Sequence, residues 1–589
     1  MTVNDRLTAL RGWMREEKID AYIIPSSDPH QSEYVAEHWK SREWISGFTG
    51  SAGTVVVTVD YAGIWTDSRY FLQGEMETAS SEFELQKMHN QFGNYYRDWI
   101  IDNLSNGQTV AVDGQLFSNG QCDMLKKAFD SEGLKFRIDA DGISPTWTDR
   151  AAIPMNEIYV HDAKYAGKTR TERLNEVRAK MVEQKADHHL TTTLDDIGWT
   201  LNIRGTDIDF NPVAVCYLVV SKTYSTLFID KVKVPVAIQN ELKADNIYLR
   251  PYAEIVAYLN QLPEIDTLLV DPLICNAYLY RAINAKKVNG NTPAKYLKAI
   301  KNSTEIAHSK SSQIKDSVGM AIAWKWLEDT LKSRNVSEAE FADKLAECRG
   351  QQAHYKSESF PAIIGYKGNG AIIHYHPTHD TCHDIKNDGM LLCDSGGQYL
   401  DGTTDITRTV SFTDPTDQQK LHYTLVLKGM IGLSMAKFPV GTQGNQLDTL
   451  ARMHLWQHGL NYGHGTGHGV GFFMNVHEPP QGFAPGNSMR SNTKHDKGML
   501  SSNEPGYYLE GEYGIRIENL MVVVKDKEGW LKFDTITLFP IATNLIDMNF
   551  MTTTETQWLN DYHQETYDKV SPQMDEEHRL WLKEKCRAV

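Results

Sequence analysis

The stretch 392–410, LCDSGGQYLDGTTDITRTV, limits what this chain can be more than any other part of it. It reads as a strand, a glycine-rich turn and a second strand, with Asp394 and Asp405 on neighbouring strands. An acid flanked by Leu391, Leu392 and Cys393 is costly to bury unless a cation meets it. Two such acids side by side point to a shared partner, and a divalent metal is the simplest one. The competing reading is that an Asp beside Gly-Gly is only a turn residue. Asp401, inside the turn, reads as an ordinary turn acid.

Further candidate ligands lie downstream. His468 sits in GHGTGHGVG at 463–471, where glycines let backbone approach a ligand closely; the alternative is a glycine-rich loop with two solvated histidines. Glu504 precedes a proline in SSNEPGYY, which biases it toward extended structure. Glu518 follows Arg516 in GIRIENLMVVV, and alternation places those two on one strand face, opposite Ile515 and Ile517. Either Arg516 or a metal must then neutralise Glu518. Asp394, Asp405, His468, Glu504 and Glu518 together carry a charge that two divalent cations balance. Oxygen-rich ligation with one imidazole suits Mn²⁺, and less exclusively Fe²⁺, Co²⁺ or Zn²⁺. Two such metals sharing a bridging hydroxide can hydrolyse an amide without a nucleophilic side chain. No GxSxG or catalytic Cys–His signature competes.

The rest of the chain reads as several domains. At 589 residues it exceeds one hydrophobic core. An internal echo divides the first half. RLTALRGWMREEKID from Arg6 realigns with RLNEVRAKMVEQKAD from Arg173 at a constant offset of 167, giving seven identities in fifteen positions. Each copy is followed by a Trp (Trp44, Trp199) and an apolar strand run, so two βα domains of one architecture are expected, at 1–160 and 161–303. A third region, 304–589, opens with a long helix over 304–331, capped by NSTE, and continues as strands and glycine-rich turns. Residues 481–500 are polar and glycine-rich without a clear period, which suggests a rim loop.

A net charge of −16 argues against a nucleic-acid surface. Seven scattered cysteines without CxxC spacing fit a reducing compartment. The charged N-terminus cannot be a signal segment, and no run suits a membrane span. A cytoplasmic protein is expected.

Taken together, DSGGQYLDGTTDITRT, GAIIHY, GHGTGHGVG, NVHEPP, NEPGYY and GIRIEN resemble the pita-bread metallopeptidases of family M24, and within them the three-domain, cytosolic-type X-prolyl aminopeptidases (aminopeptidase P). WISGFTGSAG, TDSRYF and WLNDYH extend the resemblance over nearly the whole chain. It implies a mixed α/β (α+β) fold: two creatinase/prolidase-type N-terminal domains and a pita-bread catalytic domain. It implies two Mn²⁺ ions, with Asp394 on one, Asp405 and Glu518 bridging both, and His468 and Glu504 completing the other. His374, His464 and His477 match catalytic, substrate-holding histidines. Arg69 matches a substrate-contacting arginine, against the plainer reading of a structural Arg. His376 lies two residues beyond His374, and the IIHY motif selects His374. The implied substrates are peptides with proline second, the implied assembly a homodimer. Prolidase, which takes Xaa-Pro dipeptides, is the nearest alternative. A non-catalytic binding protein on the same fold is another, but such relatives have lost metal ligands and all five residues stand here.

Overall fold

The computed structural model describes residues 1–89 and 93–589, with Leu72 by its backbone alone. The chain forms two compact units, Met1–His161 with Lys168–Lys295, and Asp162–Gly167 with Tyr296–Val589.

In the first unit the sequence echo becomes a structural duplication. One six-stranded sheet runs, in spatial order, Glu84–Met88, Ala62–Asp67, Thr54–Thr58, Ala21–Pro25, Thr109–Val112, Lys135–Arg137. The other runs Ile247–Arg250, Ser225–Phe228, Tyr217–Ser221, His188–Thr191, Thr267–Val270, Lys286–Asn289. In both, the strand that comes first in the chain lies centrally, antiparallel to one neighbour and parallel to the other. The helices before them, Val3–Glu16 and Arg170–Glu183, are 14 residues each and start on the same capping box, Thr2 with Asp5 and Thr169 with Glu172.

The repeated residues do repeated work. Arg6 and Arg173 lie over the rings of Trp44 and Trp199, at 5.4 and 4.6 Å, and donate to those residues' carbonyls. Arg11 and Arg178 reach Thr58 O and Ser221 O, each at 3.0 Å. Lys18 and Lys185 take left-handed backbone, φ +57° and +55°, to end their helices. Asp20 and Asp187 accept from the backbone N–H of Thr109 and Thr267 at 2.7 and 2.8 Å, clamping the central strand to its parallel neighbour. Leu7, Leu174, Met14 and Met181 are core residues. Glu16 and Glu183 face solvent, as do Lys18 and Lys185.

One buried group in this unit makes stability pH-dependent. His189 is fully buried, its Nδ1–H donating to Leu269 O at 3.1 Å and its Nε2 accepting from Thr292 Oγ1 at 3.0 Å. Burial pushes its pKa down from 6.5 to about 4. The folded state therefore resists a proton that the unfolded chain accepts. The contribution is complete above pH 6.5 and is lost as pH falls toward 4. Relative to His189→Gln, the wild type should lose about 2 kcal/mol between neutral pH and about pH 5. Urea unfolding of both proteins across that range measures this, and parallel curves would remove His189 from the account.

The second unit has two helix-backed halves. In one, the helix Ser303–Thr330, capped by Asn302 in a capping box with Glu305, packs with Glu338–Gly350. They cover the antiparallel strands Ile363–Tyr366, Met390–Ser395 and Ile406–Ser411. Trp324, Leu327, Phe341, Leu345, Ile364, Leu391 and Cys393 form their core, each large apolar side chain contributing about 1.5–3 kcal/mol. In the other half, Asp417–Ser434 and Gly444–Trp456 lie against a six-stranded sheet: Lys437–Pro439, Trp530–Thr535, Asn519–Lys527, Leu500–Asn503, Gly467–Gly469, Glu478–Phe483. Leu433, Leu447, Ala451, Met499, Met521 and Val523 seal that contact. This is the expected α/β architecture, two creatinase-type domains followed by a pita-bread domain.

Two local readings are refined. Asp401 does lie in the turn, but it is 2% exposed, and the Lys315 ammonium on the long helix bonds both its oxygens at 2.5 and 2.7 Å. Residues 481–500 are not simply a rim loop, because Glu478–Phe483 is a sheet strand and His495 is buried, stacked 4.6 Å from Phe483. Residues 481–483 end that strand and are followed by exposed Asn487, Lys494 and Lys497, so too little of the strand lies in the segment for a period to show.

Candidate metal centre

The opening stretch forms the hairpin its pattern predicts. Met390–Ser395 pairs antiparallel with Ile406–Ser411, and Asp394 stands opposite Thr407. Asp405 lies one residue before the second strand. Both acids are buried, at 6% and 4% exposure. The other half supplies the rest: His468 on Gly467–Gly469, Glu504 just past Leu500–Asn503, and Glu518 in the break between Tyr513–Arg516 and Asn519–Lys527.

The glycines around His468 serve the sheet. A Cβ on Gly467 would lie 2.1 Å from Ser502 O, and one on Gly469 would lie 2.3 Å from Glu478 O. They let a short central strand squeeze between its neighbours and present the imidazole. The alternative reading, a glycine-rich loop with solvated histidines, does not hold at His468, which lies on a buried strand.

His468 Nε2 lies 3.4 Å from Asp405 Oδ2 and 3.3 Å from Glu504 Oε1. Ligand atoms of Asp405, His468 and Glu518 all fall within 4.8 Å of one another. The His468 Nδ1–H donates to Gly469 O at 3.0 Å, leaving Nε2 as the lone-pair nitrogen facing the acids. That is the tautomer a metal-ligating histidine needs.

Arg516 does not neutralise Glu518, the bland alternative from sequence. Its Nη2 and Nε take Asp394 Oδ2, at 2.7 and 3.2 Å. Glu518 accepts the Thr407 hydroxyl on Oε2, at 2.8 Å. Thr407 and Tyr508, given no role by sequence, complete this outer layer. Arg516 Nη1 donates to Tyr508 Oη at 2.7 Å, and the Tyr508 hydroxyl donates to His464 Nε2 at 2.8 Å. A paired spacing across two strands could have flagged Thr407, but nothing local marks Tyr508.

The electrostatics are those of a site short of positive charge. Burial, opposed by Arg516 and reinforced by Asp405, pushes the Asp394 carboxyl up to about 6. Burial pushes Asp405 up to about 6 as well, and raises Glu504. Glu518 is driven well above the ordinary range by burial and then by Asp405. Burial and the neighbouring His477 push His468 down to about 3. Asp394 Oδ1 and Glu518 Oε1 are buried oxygens with no hydrogen-bond partner among the described residues. Orphaned oxygens on crowded carboxylates, facing a deprotonated imidazole nitrogen, fit divalent cations.

The predicted substrate residues are distributed around this cluster unevenly. The His477 ring stands perpendicular to His468, centroids 4.3 Å apart. His464 joins the cluster through Tyr508. His374 is half-buried, next to Ile373, whose carbonyl faces Arg516 Nη2 at 3.5 Å. His376 is exposed. Arg69 lies in the first unit, where it forms a bidentate pair with Asp67 at 2.8 Å for both bonds.

Four carboxylates and one histidine brought together from two sheets have the donor chemistry of a divalent-metal hydrolase centre. Comparison with known proteins agrees. Residues 307–525 match the metallopeptidase family M24, and 529–589 match its C-terminal region. Residues 6–143 and 149–305 each match the creatinase/prolidase N-terminal domain. The chain is 39% identical to Xaa-Pro aminopeptidase 1 of Dictyostelium discoideum, covering 100% of this chain and 97% of that protein. It is 39% identical to aminopeptidase P2 of Arabidopsis thaliana, over 98% and 87% of the two chains. The solved X-prolyl aminopeptidase of Caenorhabditis elegans, described as cytosolic with a di-nuclear active site, superposes with a TM-score of 0.95 at 32% identity, covering 100% of both. The chain belongs to metallopeptidase family M24, among its Xaa-Pro aminopeptidases.

Proposed function

We propose that this protein is a Mn²⁺-dependent, cytoplasmic, homodimeric aminopeptidase that releases the first residue from peptides whose second residue is proline. The observation that carries this is the cluster of Asp405, Glu504 and Glu518 around His468 Nε2, with Asp394 charge-coupled to Asp405 and with buried oxygens of Asp394 and Glu518 left without a hydrogen-bond partner among the described residues. Among the described residues, no helix is long and apolar enough to cross a membrane. The corresponding domain plan is 1–160, 161–303 and a catalytic 304–589.

Asp394, His468 and Glu504 would each serve one ion, and Asp405 and Glu518 both. Bound there, two divalent cations supply Lewis acidity to a peptide carbonyl and acidify water near neutral pH. The chain's own residues do the rest. Gly469 O fixes the His468 tautomer, Arg516 holds one oxygen of Asp394 and leaves the other free, and Thr407 orients Glu518. His374, His464 and His477 would hold the scissile carbonyl and the proline and move protons at the departing nitrogen. His464 is tied to the ligand layer by Tyr508, whose hydroxyl donates to its Nε2 and accepts from Arg516. Arg69 is carried over from the family resemblance as a substrate-contacting arginine. An Xaa-Pro bond has no N–H and a rigid ring, so a site that grips the carbonyl and a free amine can take what backbone-reading peptidases reject.

Prolidase is the competing activity. A solved Xaa-Pro dipeptidase from Bacillus anthracis covers 63% of this chain and 99% of its own, so more than a third of this chain has no counterpart there. With matched Xaa-Pro-Xaa and Xaa-Pro substrates, the tripeptide should be cleaved on the order of 100-fold more efficiently. Cleavage of the dipeptide alone would reverse the assignment.

A further inference from the structure

Beyond the metal ligands, one fully buried acid governs the segment that carries His374. Glu338 opens the helix Glu338–Gly350 and is 0% exposed. It is not needed as that helix's cap, because the Ser337 hydroxyl accepts the Glu340 N–H at 3.1 Å. Its carboxylate turns instead to residues 366–383. It accepts from Tyr366 N at 2.7 Å, His383 N at 2.8 Å, Tyr375 Oη at 2.7 Å, and Asn369 Nδ2 at 3.1 Å to each oxygen. Its own N–H donates to His383 O at 3.0 Å. A desolvated carboxylate is tolerated only when its lone pairs are filled, and here every one of these donors comes from the two ends and the middle of a single segment.

The same segment is fixed from the metal side. A Cβ on Gly514 would lie 1.7 Å from Gly370 O, so the segment packs directly on the strand Tyr513–Arg516. The Ile373 carbonyl faces Arg516, which holds Asp394. His374 thus stands between a contact to the metal-ligand layer at Ile373 and a contact to Glu338 at Tyr375. Burial and the Glu338 charge drive the Tyr375 phenol far above its ordinary pKa, so it remains a donor. Neither Glu338 nor Tyr375 is a proposed ligand.

We infer that Glu338, acting through Tyr375, is a positioning residue that sets the placement of His374 for the reaction; this rests on the role proposed for His374 above. The test uses the Mn²⁺-reconstituted full chain and an Xaa-Pro-Xaa tripeptide. Tyr375→Phe removes one hydroxyl and keeps the ring, and Glu338→Gln removes the charge. Both should lower kcat/KM by about tenfold or more at unchanged metal content, and both should speed hydrogen exchange in 366–383. In a His374→Ala background, Tyr375→Phe should change kcat/KM by less than about twofold, since positioning has no target left. If Glu338→Gln fails to fold, Tyr375→Phe and the double variant decide alone. The inference is overturned if His374→Ala lowers activity while Tyr375→Phe stays at the wild-type level. It is also overturned if Tyr375→Phe costs the same fold with and without His374. Full activity of His374→Ala would instead remove the His374 role itself, and the positioning claim with it.

Discussion

Replacing Asp405 with Asn should lower kcat/KM on an Xaa-Pro-Xaa peptide by more than about 100-fold, beyond what loss of an outer-layer partner costs. It should also reduce bound metal. The substitution is nearly isosteric, so the 4% exposed site is not opened. What changes is charge and donor chemistry. Asp405 Oδ2 sits 3.4 Å from His468 Nε2 and shares the cluster with Glu518. An amide there removes a negative charge and can aim an N–H at a position meant for a cation. Because Asp405 is proposed to serve both ions, one substitution should disturb both. Asp401→Asn, in the same turn, is the control. That acid is spent on Lys315, so its loss should cost stability by removing the counter-charge of a half-buried ammonium while metal content stays near wild type. Equal metal loss in both variants would mean that the turn matters only as a fold element.

The two halves of the molecule were legible in the sequence to different degrees, for physical reasons. The N-terminal duplication was readable because its identities carry pairwise work: an arginine on a tryptophan, an aspartate clamp, a left-handed lysine. Such contacts need particular side chains, so the pattern survives in the chain. The five candidate ligands were readable because each is a polar residue in an apolar or glycine-rich run that secondary structure alone does not explain. What was not readable depends on contacts distant in sequence. Arg516 turns to Asp394, 122 residues away, rather than to nearby Glu518. Asp401 is buried by Lys315, 86 residues away. Glu338 gathers donors 28 to 45 residues downstream. The glycines of 463–471 read correctly as close-approach positions, but the approaching partner is neighbouring strand backbone. Local periodicity cannot name a distant partner.

Metal removal is the other change of large effect. Without cations, the raised carboxyls can take up protons and His468 loses its proposed partner, so the site keeps its shape and loses its electrophile. The cysteines are no ready substitute nucleophiles, since most are buried and burial pushes the Cys393 thiol up to about 12. The most direct measurement is therefore tripeptide hydrolysis by the chelated, dialysed protein during stepwise addition of Mn²⁺. The metal-free protein should retain less than about 1% of full activity, and activity should rise with Mn²⁺ and level off at about two equivalents per chain. Full hydrolysis of the Xaa-Pro bond by protein verified to hold no metal would contradict the account at its centre.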